Sequence, residues 1–169
     1  MNADAMLDQP GVVVLCGSEQ DMAHATEIAR AARELGLGAA IRVASAHRTP
    51  EKVLQIVRDV DALSQRMPVV LITVAGRSNA LSGFCDPQTS VPVISCPPPS
   101  QFADDVWSSL RMPSGVAPLY VCEPLNAALA AAKIVGLSTP AVAQAVVQFQ
   151  QRARQKIEEA DARARAGAC

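Results

Sequence analysis

The sequence predicts a three-layer α/β/α sandwich around a five-stranded parallel sheet, and three observations carry that expectation. Five short apolar runs rich in β-branched residues alternate with segments whose apolar residues recur at helical spacing. The best of these runs are continuous rather than alternating, as in strands covered on both faces. Four of the runs lead directly into unusual polar sequences, which therefore fall on the carboxyl edge of a parallel sheet, where such folds keep their ligands.

The elements follow in order. Residues 1–10 are polar, lack periodicity and end in Pro10, which reads as a flexible N-terminal tail; residues 11–169 read as a single domain. Gly11 to Cys16 (G-V-V-V-L-C) is the first strand, broken by Gly17 and Ser18. From Asp21, the residues Ala25, Ile28, Ala29, Ala32 and Leu35 mark a helix that Gly36 and Gly38 end. Ala39 to Ala44 is the second strand, followed by Ser45 to Pro50 and an amphipathic helix through Val53, Ile56, Val57, Val60 and Leu63. Val69 to Val74 is the third strand, leading through Gly76 to Asn79 into a short helical stretch ending near Cys85. Pro92 to Ser95 is a fourth strand. The three prolines at 97 to 99 can extend neither a helix interior nor a central strand, so the chain there is rigid and irregular. Asp104 to Leu110 reads as helix, Leu119 to Cys122 as the fifth strand, and Pro124 to Val135 as an Ala-rich helix. A long C-terminal helix follows Pro140, its second half charged with both signs mixed, the pattern of a solvated face or of a helix docking on a neighbouring subunit. Five strands joined by helical crossovers favour the flavodoxin-like order 2-1-3-4-5, with the ligand crevice between strands 1 and 3.

Composition narrows the function. At 169 residues the chain is expected to form one domain, with half of its residues hydrophobic but only 3% aromatic. A formal charge of -1 and few rings argue against nucleic-acid binding. No apolar run approaches the roughly 20 residues of a bilayer span, and no secretory signal pattern opens the chain, so a cytoplasmic protein is expected. Five cysteines without a C-x-x-C pair, and only two histidines, argue for reduced thiols and against a protein-held metal. Neither a Walker-type loop nor a dinucleotide-binding glycine pattern follows the first strand, so a nucleoside triphosphate or a nicotinamide cofactor has no obvious cradle.

The loop S-A-H-R-T-P at Ser45 to Pro50 is the chemical centre of the sequence. It brings a hydroxyl, the imidazole of His47 and the guanidinium of Arg48 together beside Ala46. Guanidinium binds phosphate through paired charge-assisted hydrogen bonds, and imidazole is the default proton carrier near neutrality. The alternative is that Ser45 and Thr49 cap the next helix and Pro50 starts it. Gly17 and Ser18 open a helix whose N–H groups and dipole favour a phosphate. Asp21 either accepts from ribose hydroxyls or caps its own helix. Gly76 admits a substrate close to the backbone, and Ser78 and Asn79 offer donors to a carboxylate or to carbon dioxide; Arg77 faces the site, solvent or a neighbouring chain. His24 reads as a surface or inter-subunit residue, Cys96 as a small buried hydrophobe, and Trp107 as core or interface.

On these residues the chain resembles the aminoimidazole ribonucleotide carboxylases of purine biosynthesis, most of all the carbon dioxide-using (class II) branch. The resemblance runs from Val12 into the last helix and includes G-S-x-x-D at 17–21, S-A-H-R-T-P at 45–50, A-G-R-S-N-A-L-S-G at 75–83, P-V-I-S-C-P-P at 92–98 and W-S-S-L-R-M-P-S-G at 107–115. It implies a cofactor-free carboxylation and a homo-octamer with sites between subunits. It also implies that Ser18, Asp21, Ser45 and Arg48 hold the ribose phosphate, that His47 handles the proton at the carboxylated carbon, and that Gly76, Arg77, Ser78 and Asn79 line the carbon dioxide pocket. Two positions bear on the branch. Ala80 stands where the N-carboxyaminoimidazole ribonucleotide mutases resemble G-G-A-A-H-L-P-G and carry histidine, favouring the carboxylase; Arg48 stands where the carboxylases often carry lysine, favouring the mutase. A non-catalytic nucleotide-binding module on the same fold is the reading from another class.

Overall fold

The computed structural model describes residues 6–76, 80–99 and 106–167. Among them lies a five-stranded parallel sheet of order β2-β1-β3-β4-β5, built from β1 (Gly11–Cys16), β2 (Gly38–Val43), β3 (Val69–Val74), β4 (Val93–Ser95) and β5 (Leu119–Tyr120). The expected strand order is therefore the observed one. All six residues of β1 and of β3 are buried, which explains why these strands read as unbroken apolar runs.

The helices are α1 (Met22–Glu34), α2 (Pro50–Ser64), α3 (Ala80–Cys85), α4 (Val106–Leu110), α5 (Pro124–Gly136) and α6 (Pro140–Arg165). Alternation along the strands splits the core into two layers. Val12, Val14, Cys16, Val70, Ile72 and Val74 face the layer closed by α1, α5 and the start of α6. Val13, Leu15, Val69 and Leu71 face the layer closed by α2 and α3. Each fully buried Val or Leu contributes about 1.5–3 kcal/mol relative to exposure, so the all-buried β1 and β3 are the spine of the fold.

Register decides where the site forms. Cys16 pairs with Val43 on one side and Val74 on the other, so three neighbouring strands end at one level. The pairing continues one residue further: Ala44 N–H donates to Cys16 O at 3.0 Å, Gly17 N–H to Val74 O at 2.8 Å and Cys96 N–H to Thr73 O at 2.9 Å. At the opposite end, β1 and β2 start side by side at Gly11 and Gly38. A Cβ on Gly11 would lie 2.1 Å from Gly38 O, so only glycine permits that approach.

The structure differs from expectation in several places. The segment read as a loose tail is packed where it is described: Leu7 is 6% exposed and joins the α2-side core, and Gly38 N–H donates to Pro10 O. Two adjacent apolar residues, Met6 and Leu7, in a short stretch give no periodicity, so their packing is set by the cleft they meet. The second strand starts at Gly38 and ends at Val43, and the fifth is only two residues long, Leu119 pairing with Ile94 and Tyr120 with Ser95. The first helix begins at Met22, after a 3₁₀ turn at Glu19–Asp21. Helix α6 reaches Arg165, and residues 151–167 are exposed throughout. Trp107, read as core or interface, is 58% exposed in the single chain, which excludes only the core half of that reading. No helix among the described residues is long and apolar enough to cross a membrane.

Candidate active site

The level strand ends carry three loops that enclose a cavity of about 690 Å³, lined by residues 17–21, 45–48, Ala75, Gly76 and Leu81. Seven sequence-derived candidates, Gly17, Ser18, Asp21, Ser45, Ala46, His47 and Arg48, thus meet at one place, joined by Gly76 from the β3 loop. Arg77, Ser78 and Asn79 lie outside the described residues. Glu19, Gln20, Ala75 and Leu81 also line the cavity; Ala75 and Leu81 carry no polar signal and are found only through position.

The loop after β2 is held by its own side chains. Thr49 Oγ1 accepts from Ser45 N–H at 2.9 Å and donates to Ser45 O at 3.3 Å, while Thr49 N–H donates to the same carbonyl at 2.8 Å. Ser45 Oγ accepts from Arg48 N–H at 3.3 Å. Pro50 is the first residue of α2, and Thr49 Oγ1 turns back to Ser45 instead of capping the helix. This closed turn presents His47 and Arg48, both exposed, at its tip. A rigid turn positions its side chains at less entropic cost than a free loop.

The loop after β1 is organised around Asp21. It is 7% exposed, accepts a 2.8 Å hydrogen bond from Ser18 Oγ, and makes no side-chain bond to the start of α1. The helix-cap alternative is therefore not the arrangement found. A carboxylate tied on one oxygen and facing a cavity is suited to receive hydroxyl donors on the other. Gly76 leaves the room this needs, because a Cβ there would sit 3.3 Å from Asp21 Oδ1 and 3.4 Å from Pro98 Cγ. The triple-proline segment thus stands behind Gly76 and outside the cavity lining.

Cys96 has a partner that its neighbours in sequence do not reveal. Its Sγ lies 3.5 Å from His24 Nε2 and donates to Cys122 O at 3.4 Å. Burial is the main reason the Cys96 thiol is pushed up to about 12, and Cys16 and Cys85 are raised to about 12 for the same reason. These three stay protonated near neutrality and are poor nucleophiles. Burial also lowers the pKa of His24, opposed by Glu27, Asp21, a hydrogen bond to the Cys96 backbone and Glu123. Among the described residues no group of three His, Cys, Asp or Glu side chains is placed to hold a metal ion.

Comparison with known proteins agrees with this geometry. The AIR carboxylase family model matches residues 11–156. A phosphoribosylaminoimidazole carboxylase of Archaeoglobus fulgidus is 50% identical over 151 residues, covering 88% of this chain and 82% of that protein. One from Treponema denticola is 46% identical over 157 residues, covering 92% and 98%. The crystal structure of Treponema denticola PurE superposes with a TM-score of 0.88 at 45% identity, over 92% of this chain and 98% of that one. With the family match spanning both core layers and every cavity loop, the chain belongs to the AIR carboxylase family.

Proposed function

We propose that this protein is a phosphoribosylaminoimidazole carboxylase of de novo purine biosynthesis, adding carbon dioxide to aminoimidazole ribonucleotide to form 4-carboxyaminoimidazole ribonucleotide, or removing it in reverse. The observation that carries the proposal is the closed Ser45–Thr49 turn holding His47 at the mouth of a cavity with Ser18, Asp21 and Gly76. Family membership supports the substrate class.

In this reading the phosphate meets Arg48, Ser45 and the N–H groups after Gly17, where a guanidinium and orphan donors favour an anion. Asp21, fixed by Ser18, receives ribose hydroxyls. Gly76 with Arg77, Ser78 and Asn79 forms the pocket for carbon dioxide. The electron-rich ring carbon of the substrate attacks carbon dioxide, forming the carbon–carbon bond. His47 then takes the proton from that carbon, and the C–H bonding pair restores the aromatic ring. In the reverse direction the same imidazole returns the proton. The steps need neither cofactor nor metal.

The protein acts in the cytoplasm as a homo-octamer with its sites at subunit interfaces. Trp107, Leu110, Leu119 and Leu137, all exposed in the single chain, give apolar surface to such an assembly, and light scattering that finds a monomer would refute it. A mutase that moves a carboxylate from the exocyclic nitrogen is the second reading, favoured by Arg48 directly after His47. Supplying each carboxyl donor separately decides between the two. The carboxylase requires turnover of aminoimidazole ribonucleotide that rises with carbon dioxide; activity only with the N-carboxylated nucleotide establishes the mutase. Tight nucleotide binding with no carbon exchange establishes a non-catalytic module.

A further inference from the structure

We propose that His24 is a positioning residue for nucleotide binding, latching the triple-proline loop to the helix that carries Asp21. The inference rests on the functional reading above and adds to it a residue outside the cavity lining.

The need for a latch follows from the sequence. Pro97, Pro98 and Pro99 have no N–H, so this loop cannot be anchored by donors of its own backbone. Its last strand-type bond is the one from Cys96 N–H to Thr73 O at 2.9 Å. Beyond that point Cys96 is tied through its side chain, to Cys122 O on one side and to His24 on the other. His24 Nε2 lies 3.5 Å from Cys96 Sγ, and because the thiol donates to Cys122 O at 3.4 Å, the ring N–H is the donor in this contact and the sulfur its acceptor.

The consequence for the site is geometric. His24 stands three residues after Asp21, one turn into the same helical segment, so both side chains are carried by one rigid element. Pro98, two residues beyond Cys96, backs Gly76, and Gly76 faces Asp21 Oδ1. Asp21, His24, Cys96, Pro98 and Gly76 therefore close a ring around one wall of the cavity. Without the latch, Cys96 keeps its bonds to Thr73 O and Cys122 O but loses its tie to the helix, so Pro98 is held less firmly against Gly76 and the wall beside Asp21 loosens. His47, on the separate Ser45–Thr49 turn, stands outside this ring. The latch should therefore govern binding of the nucleotide and leave proton transfer untouched.

The test compares H24L, which keeps apolar volume but has no donor, with H24Q, whose amide N–H restores one. Steady-state kinetics use aminoimidazole ribonucleotide at saturating bicarbonate, and calorimetry measures nucleotide binding. We expect H24L to raise KM about tenfold and weaken binding in parallel with kcat within about twofold, and H24Q to recover most of the loss. H24A carries the same expectation as H24L should the leucine variant not fold. An unchanged KM in a folded donor-free variant of an active enzyme, a loss confined to kcat, or no recovery in H24Q overturns the latch alone. A wild-type protein that neither binds nor turns over the nucleotide overturns the functional reading, and the inference with it.

Discussion

Ser18 Oγ donates a 2.8 Å hydrogen bond to Asp21 Oδ2, so the carboxylate beneath the cavity is aimed by a neighbour three residues away. Only 7% of Asp21 is exposed, and that exposure belongs to the cavity it lines. A hydrogen bond to a charged group is worth about 1.5–3 kcal/mol. S18A should therefore raise the nucleotide KM by about tenfold or more, with a smaller effect on kcat. Kinetics showing an unchanged KM would mean that Asp21 does not bind substrate.

Gly76 is the complementary element. Alanine there would place a methyl carbon 3.3 Å from Asp21 Oδ1 and 3.4 Å from Pro98 Cγ. The displacement needed is a few tenths of an ångström, and the site is at the edge of the core. G76A should thus lose activity, roughly tenfold given the sensitivity of positioned groups to small shifts, while its melting temperature stays close to wild type. A large fall in melting temperature with full residual activity would contradict this assignment.

His47 has a different signature. The tip of its turn is exposed, and the bonds that hold the turn come from Ser45 and Thr49. H47N should leave nucleotide affinity within about threefold and slow turnover by at least about a hundredfold, the lower range for a general acid–base group. Calorimetry and turnover measured on the same preparation separate the two effects. Near-normal turnover would remove His47 from the chemistry.

Acid should act through His24. Its pKa is lowered in the folded chain, first by burial, against the opposing pull of Glu27, Asp21, the Cys96 backbone and Glu123. Between the unfolded value of 6.5 and the lower folded value, the unfolded chain binds more protons. Stability from this group is full above 6.5 and falls as pH drops through that window. Melting curves should show wild type losing stability faster than H24Q on acidification over this range; parallel curves would exclude a contribution from His24.

Much of this protein was legible locally. The runs at Gly11 to Cys16 and Val69 to Val74 are unbroken because both faces of those strands are covered, and the observed strands have the same bounds. Helix α2 runs from Pro50, the proline that sequence alone places at its start, and buries Val53, Ile56, Val57, Val60 and Leu63. The loops at 17–21 and 45–48 declared themselves by packing polar residues and glycine just after apolar runs.

What tertiary structure alone decided has one physical origin: it depends on contacts between segments far apart in the chain. The matched register of Cys16, Val43 and Val74 sets the loops at one height and so turns separate motifs into a cavity. The burial of Leu7 against a distant cleft, and the meeting of His24 with Cys96 across 72 positions, leave no periodic trace. Residue types and spacing determined which groups are available for the chemistry. The strand pairing, and the side chains it brings within hydrogen-bonding reach, determined which of them stand together.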